Sequence, residues 1–399
     1  MFLNKIAQIP FDLINRLLPK INLVIKIERK TFLKRNVFGS NHQKTVLISY
    51  LTNPFNKGAE NKHTNHVECY LAAKAWNDLG YNVDVVDYDY YKTISMDSYD
   101  VIYGFGDQFE HSFTSTNFKG KRIVYSPGCN TVFSNKISSI RLLDFKKNTG
   151  ILDSRLIRTT NNAWPLQKYL SDAIICQGND FVLNTYKNDF DLLKYYQINC
   201  FPLACNQQIN TEHKDFENAK YNLLWFGSQG SVHKGLDIAL ALVQKNPKLK
   251  LYIRGLNTTH EKTILNQYQH LIDNKQVDVK QYVSMDSTEF TELMETCGGV
   301  IFPSASEGGA AALLTVMTYG GLIPIITKAC GLDIEHLGFV AEESTLTSVE
   351  NQLHKYLATS NEKLQHLSSN IRKEISETYN TTNYQKNMKA IVQDFLANS

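Results

Sequence analysis

Hydrophobic and polar positions alternate along most of this chain in a way that predicts short buried strands separated by helices. Lys44–Leu51 (KTVLISYL) is a β-branched run that ends in a polar loop, Thr52–His63. Thr64–Leu79 places Val67, Leu71, Ala72 and Trp76 at helical spacing, Gly80-Tyr81 ends it, and Val83–Tyr88 reads as the next strand. Val101–Phe105, Arg122–Tyr125 and Ala173–Cys176 are further buried runs, and Asn130–Trp164 contains a helix around Ile137–Lys147. Asn206–Tyr221 is polar without apolar period and reads as a linker. A second set follows: strands at Asn222–Phe226, Lys250–Ile253, Val277–Tyr282, Gly299–Phe302 and Leu322–Thr327, with helices at Gly235–Val243, His260–Ile272, Thr288–Thr296 and Gly309–Tyr319. Thr345–Leu396 is helical. Buried runs alternating with helices predict α/β architecture with parallel sheets covered on both faces. The expected organisation is an extension over 1–43, a doubly wound domain over 44–205, a linker over 206–221 and a second doubly wound domain over 222–375. A last helix over 376–399 crosses back to the first domain. Two such domains face a central cleft with the carboxyl ends of their strands.

Composition narrows the class. The 399 residues, 43% of them hydrophobic and 20% charged, suit a packed protein of about two domains and exclude wholesale disorder. Seven scattered cysteines, an odd number without zinc-ligand spacing, point to a reduced, cytoplasmic protein. Lys and Arg number 42 against 39 Asp and Glu, but eight of the basic residues and two of the acidic ones stand in residues 1–40. The rest is slightly acidic, which argues against nucleic acid as a partner. Residues 1–40 are also rich in Phe, Leu and Ile, without the ~20-residue apolar run that spans a bilayer. They fit either a helical extension packed on the body or a peripheral segment on the anionic inner face of the cell membrane.

Two stretches carry candidate chemistry. In Pro303–Pro324 (PSASEGGAAALLTVMTYGGLIP), Glu307 stands at a strand's carboxyl edge. Gly308 and Gly309 then open a helix of small residues. Glycines there let a backbone approach a ligand, and a helix N-terminus favours a phosphate; a tight strand–helix turn packed for its own sake explains the same residues. In Leu224–Asp237 (LWFGSQGSVHKGLD), Gly227 and Ser228 follow a strand and Lys234 sits at the start of a helix. A cation there opposes the helix dipole, which an anion would offset, although an isolated Lys-Gly is more often solvated.

Together these stretches resemble the family 4 (group 1) glycosyltransferases of the GT-B fold, retaining enzymes that use nucleotide sugars. The resemblance also runs through Leu251–Gly255 and, more weakly, through Lys57-Gly58-Ala59-Glu60 in the first domain. It implies that Lys234 neutralises the donor's diphosphate and Glu307 binds hydroxyls of the transferred sugar. Gly308 and Gly309 would hold sugar or phosphate through their N–H groups, and Gly58 and Glu60 would form a phosphate and acceptor loop. The implied co-substrate is a UDP- or GDP-linked sugar, with no cofactor or metal. The acceptor would be a cell-envelope glycan or lipid-linked precursor, as in lipopolysaccharide or capsule synthesis. Three positions depart from the family pattern. Thr315 replaces the second carboxylate of the Glu-seven-residues-Glu signature. Ser228 and Gln229 stand where a basic residue is usual, with Arg254 as a strand-end substitute. Ser126-Pro127-Gly128 stands where many members carry a histidine.

Asp107, Glu110 and His111 follow a strand end and are candidates for the acceptor side, while His63 and His66 lack a third metal ligand. The sequence thus favours a retaining, metal-independent hexosyltransferase. A nucleotide-sugar epimerase of the same architecture and a non-catalytic glycan- or partner-binding relative stand as alternatives.

Overall fold

The computed structural model describes residues 32–398 apart from 57–62, 163, 192, 208, 210–213, 258 and 260. Residues 1–31, with most of the basic extension, and the Gly58–Glu60 loop lie outside the described residues. Within Leu33–Ser399, a single compact unit, thirteen strands form two sheets. The first contains β1 (Leu33–Lys34), β2 (Lys44–Tyr50), β3 (Tyr81–Asp87), β4 (Val101–Gly104), β5 (Lys121–Ser126), β6 (Ala173–Gln177) and β7 (Lys194–Ile198), in the order β1-β3-β2-β4-β5-β6-β7. The second contains β8 (Asn222–Phe226), β9 (Lys250–Arg254), β10 (Val277–Val279), β11 (Gly299–Phe302), β12 (Ile323–Thr327) and β13 (Phe339–Ala341), in the order β10-β9-β8-β11-β12-β13. All pairings are parallel except β1 with β3.

The two-sheet α/β architecture expected from the pattern is the one observed. Interior strands such as Val46-Leu47-Ile48 and Val300-Ile301 are fully buried, which is why they read as continuous apolar runs. The sequence reading missed β1, β7 and β13. All three are edge strands, short or carrying polar residues on an open face (KYYQI in β7), so they lack that signature. β1 also carries the first sheet ten residues upstream of the expected boundary.

The principal helices are α1 (Thr64–Asp78), α2 (Thr131–Thr149), α3 (Asp180–Lys187), α4 (Leu236–Lys245), α5 (Ala311–Gly320), α6 (Asn361–Thr378) and α7 (Thr381–Ala397). α7 returns to the first sheet. Tyr384, Met388, Val392 and Phe395, at helical spacing, join the core built from β2 to β6 and α1. α2 leaves that sheet instead. Asn130 caps its start by accepting from Val132 N, and left-handed Gly150 (φ 76°) ends it. Its Phe145 and the following Leu156 belong to the core of the second sheet. Arg141 of α2 and Asp237 of α4 form a buried two-bond ion pair at 2.8 and 2.7 Å.

The polar stretch read as a linker is not simply solvated. Lys214 is buried and donates to Cys297 O and Gly320 O, both at 2.7 Å. Gly320 is the last residue of α5, so the ammonium also meets the negative end of that helix dipole. Burial pulls the Lys214 pKa down to about 7. Replacing Lys214 with Met strands two buried carbonyls, and the expected cost is about 2–3 kcal/mol, read as a lowered urea midpoint at unchanged slope. Because the folded-state pKa lies below the unfolded value, the unfolded chain holds the extra proton between about pH 7 and 10. Lys214 therefore makes stability rise with pH across that window, and Lys214→Met flattens the rise.

Candidate active site

Strand order decides where the site lies. In the second sheet the order reverses between β8 and β11; in the first it reverses between β2 and β4. Crevices at such switch points, outside the carboxyl ends, are where open α/β sheets hold ligands. The loops that leave β8 and β11 carry Lys234 and Glu307. Leu51 and Phe105, just past β2 and β4, line a cavity of about 360 Å³ that also includes Glu307, Gly308 and His233.

Glu307 is the electrostatic centre of this cavity. Its Oε1 lies 3.9 Å from Lys234 Nζ and accepts from Ser304 Oγ at 3.1 Å; its Oε2 lies 3.8 Å from a guanidinium nitrogen of Arg158. Burial alone would raise the Glu307 pKa, but Lys234, Arg158 and His233 outweigh it and hold the carboxyl below its usual range. Burial lowers the Lys234 pKa, with Glu307 opposing the shift. Lys234 Nζ also donates to Ser228 Oγ at 3.1 Å and sits 5.7 Å from the centre of the Phe302 ring.

The glycines act by what they allow to come close. A Cβ on Gly308 would stand 2.1 Å from Pro127 O, so the Glu307-Gly308 turn abuts the Pro127-Gly128 turn after β5. Gly309 is left-handed (φ 85°), and a Cβ there would meet Cys200. α5 begins at Ala311, two residues later than the sequence suggested, because Ala310 is also left-handed (φ 38°).

Three expected site residues are placed elsewhere. Arg254 is buried and fully engaged: it donates to Glu289, to Asp278 Oδ2 at 2.6 Å and to the Ile253 and Asp278 carbonyls. That arrangement ties β9 to β10 and leaves no free face for a donor. Thr315 is buried too; its hydroxyl donates to Ala311 O and accepts from Leu203 N, which fastens the segment after β7 to α5. His111 is not among the cavity-lining residues and pairs with Thr114. Asp107 and Glu110 reach the site through others. Asp107 accepts from Trp164 Nε1 at 3.0 Å and Glu110 from Gln167 Nε2 at 2.9 Å, and both Trp164 and Gln167 line the cavity. Gly227, its N–H bonded to Arg254 O, leads into the loop that carries Lys234. Among the described residues no group of three potential ligands could hold a metal ion.

Several residues of the site have no motif around them. Arg158 lies in the stretch between α2 and β6, and its neighbour Leu156 accepts from Val232 N at 2.8 Å, which holds it against the Lys234 loop. Glu261 is fully buried and organises the same loop, accepting from Gly230 N and Ser231 Oγ. His233 donates from Nε2 to Ser306 O at 2.9 Å, with Nδ1 2.8 Å from Ser138 Oγ on α2.

Residues 208–374 match the family model described as glycosyl transferases group 1. This part of the chain is similar to the group 1 glycosyl transferases. It contains Lys234, Glu307 and the whole β8–β11 switch point. Similar solved structures include a sucrose-phosphate synthase from Thermosynechococcus elongatus, 12% identical, with a TM-score of 0.62 over 90% of this chain and 100% of that one. The Anabaena protein HepE in complex with UDP and glucose is 12% identical, with a TM-score of 0.56 over 90% and 100%. A glycosyltransferase from Rickettsia africae is 12% identical, with a TM-score of 0.53 over 90% and 100%. At such identities the likeness shows the fold alone, a two-sheet GT-B architecture that includes the region preceding the matched residues. No curated protein matches the chain.

Proposed function

We propose that the cleft transfers a hexosyl group from a UDP- or GDP-linked sugar to an acceptor held against the first sheet, with retention of configuration and without a divalent cation. The observation that carries this reading is the Lys234–Glu307–Arg158 arrangement at the β8–β11 switch point. The two cations exceed the one carboxylate by a positive charge, which suits a diphosphate. Lys234 and Arg158 would take up the charge that develops on the leaving nucleotide, and Glu307 would accept hydrogen bonds from hydroxyls of the sugar. Arg158 supplies the second cation that Ser228 lacks and that Arg254 is too engaged to give. The acceptor oxygen forms its bond to the anomeric carbon on the face from which the phosphate departs, and its proton passes to the leaving phosphate oxygen.

The family resemblance favours a cell-envelope glycan or lipid-linked acceptor. The basic, apolar residues 1–40 suit work at the inner face of the cell membrane. No helix among the described residues is long and apolar enough to cross a membrane.

A thermal-shift panel with UDP, GDP, ADP and CMP tests the donor site. One nucleoside diphosphate should stabilise the protein equally in magnesium and in EDTA, by about 2.7 kcal/mol at a hundredfold excess over Kd. No shift with any nucleotide overturns the reading in favour of a non-catalytic binder. Conversion of the nucleotide sugar without an acceptor would identify an epimerase instead.

A further inference from the structure

The first-sheet side of the cavity contains a second cationic feature that the donor reading does not use. Lys168 lines the cavity and is only 8% exposed. Its ammonium has three N–H donors, and one long bond, 3.3 Å to Asn130 Oδ1, engages it. That oxygen is already occupied in capping α2 by accepting from Val132 N. Among the described residues no carboxylate lies within ion-pair distance of Lys168. Asp189 acts on it only from farther off and is itself held by Asn130 and Tyr169. Burial lowers the Lys168 pKa accordingly.

An independent observation points to the same place. Thr131, the first residue of α2, also lines the cavity, and its Oγ1 is buried without a hydrogen-bond partner. Buried hydroxyls without partners are uncommon, because each forfeits a hydrogen bond to water. The N-terminal turn of the 19-residue α2 opens here, and its dipole favours negative charge. A buried ammonium with spare donors, an orphan hydroxyl and a helix N-terminus therefore converge on one wall.

We propose that this wall is an anion subsite and that the acceptor carries a phosphoryl or carboxylate group bound by Lys168 and Thr131. The acceptor assignment rests on the transfer reading given above; the anion subsite itself does not. Ser134, one turn along α2 from Asn130, accepts from Ser306 Oγ at 3.1 Å, next to Glu307. A helical turn advances about 5.4 Å, so one small molecule can hold its anion at Lys168 and present a hydroxyl toward Glu307. Neutral acceptors would leave the ammonium and the Thr131 hydroxyl unsatisfied, which is a basis for rejecting them.

The test uses the full chain, titrated with inorganic phosphate and with acetate at matched ionic strength in sodium chloride, and read by thermal shift. At least one anion should stabilise the wild type. Lys168→Met should weaken its apparent affinity at least tenfold, Thr131→Val about three- to tenfold, and Lys234→Met less than twofold. A stronger phosphate response assigns a phosphoryl group and a stronger acetate response a carboxylate. The proposal is overturned if neither anion acts, or if Lys234→Met removes the response while Lys168→Met keeps it, since the anion then sits at the donor crevice. The nucleoside diphosphate response measured on the same samples separates the two readings. A nucleotide shift without a response to either anion sinks only the anion subsite; an anion response without a nucleotide shift sinks only the donor site. It also shows that the Lys168→Met and Thr131→Val proteins are folded.

Discussion

Glu307→Ala is expected to lower kcat/KM for glycosyl transfer by about 10²–10³-fold or more, while leaving nucleotide binding intact or tighter. The carboxylate lies between Lys234 and Arg158. Removing it costs the contacts to sugar hydroxyls that strengthen as the bond breaks, but it also leaves two uncompensated cations facing an incoming diphosphate. Lys234→Ala should lose transfer to a similar extent and weaken the nucleoside diphosphate as well, because it removes the charge rather than its counter-ion. Assay of released nucleoside diphosphate, paired with calorimetric titration of the same nucleotide, separates the two variants. Near-full transfer in either one would remove these residues from the reaction. Equal loss of nucleotide binding in both would mean that Glu307 works only by holding Lys234 in place.

The largest stability effect is expected away from this chemistry, at the Arg141–Asp237 pair. Arg141 is buried and Asp237 mostly so, and burial raises the Asp237 pKa against the opposing pull of Arg141. Asp237→Ala strands a guanidinium whose Nε already lacks a partner, and a loss of about 3–5 kcal/mol follows. Chemical denaturation should show it as a lowered midpoint. The exposed Lys245–Glu350 pair is the internal comparison, since breaking it should cost less than about 1 kcal/mol. Replacing Arg141 and Asp237 together with Met and Leu should recover most of the loss, because no buried charge then remains. If Asp237→Ala were as mild as the surface control, the pair would not be holding α2 against α4.

The sequence made some of this legible and hid the rest for physical reasons. Buried parallel strands announce themselves as apolar runs, so the two sheets could be read, whereas the edge strand at Lys194–Ile198 could not. Glu307 and Lys234 stood out as candidates because glycines beside a strand end mark a place where backbone must come close. Arg158 had no such marker; it reaches Glu307 because α2 and the segment after it leave their own sheet, a path that local pattern does not report. Arg254 was misplaced for the opposite reason. Its strand-end position was right, but the carboxylates that claim it, on Asp278 and Glu289, are 24 and 35 residues away. Lys214 shows how a polar stretch can conceal a buried anchor, and Thr131 and Lys168 become a pair only through the fold.

The excursion of α2 has a mechanical consequence. The chain passes between the two sheets in the segment that joins β7 to β8 and again at Tyr379, where α6 gives way to α7. It also goes out and back through α2 and the segment ending at Arg158, which is fastened by the Arg141–Asp237 pair and the Val232–Leu156 bond. A body joined at one flexible point can swing freely; one joined at several can turn only about an axis that spares the fastenings. Any opening of the cleft would therefore either carry α2 along with the second sheet, bending the chain near Cys129 and Trp164, or break the Arg141–Asp237 ion pair. In the first case the anchor points of Lys168 and Thr131 would separate, so under the proposed anion subsite the departure of a bound anion and the opening of the cleft would be one event.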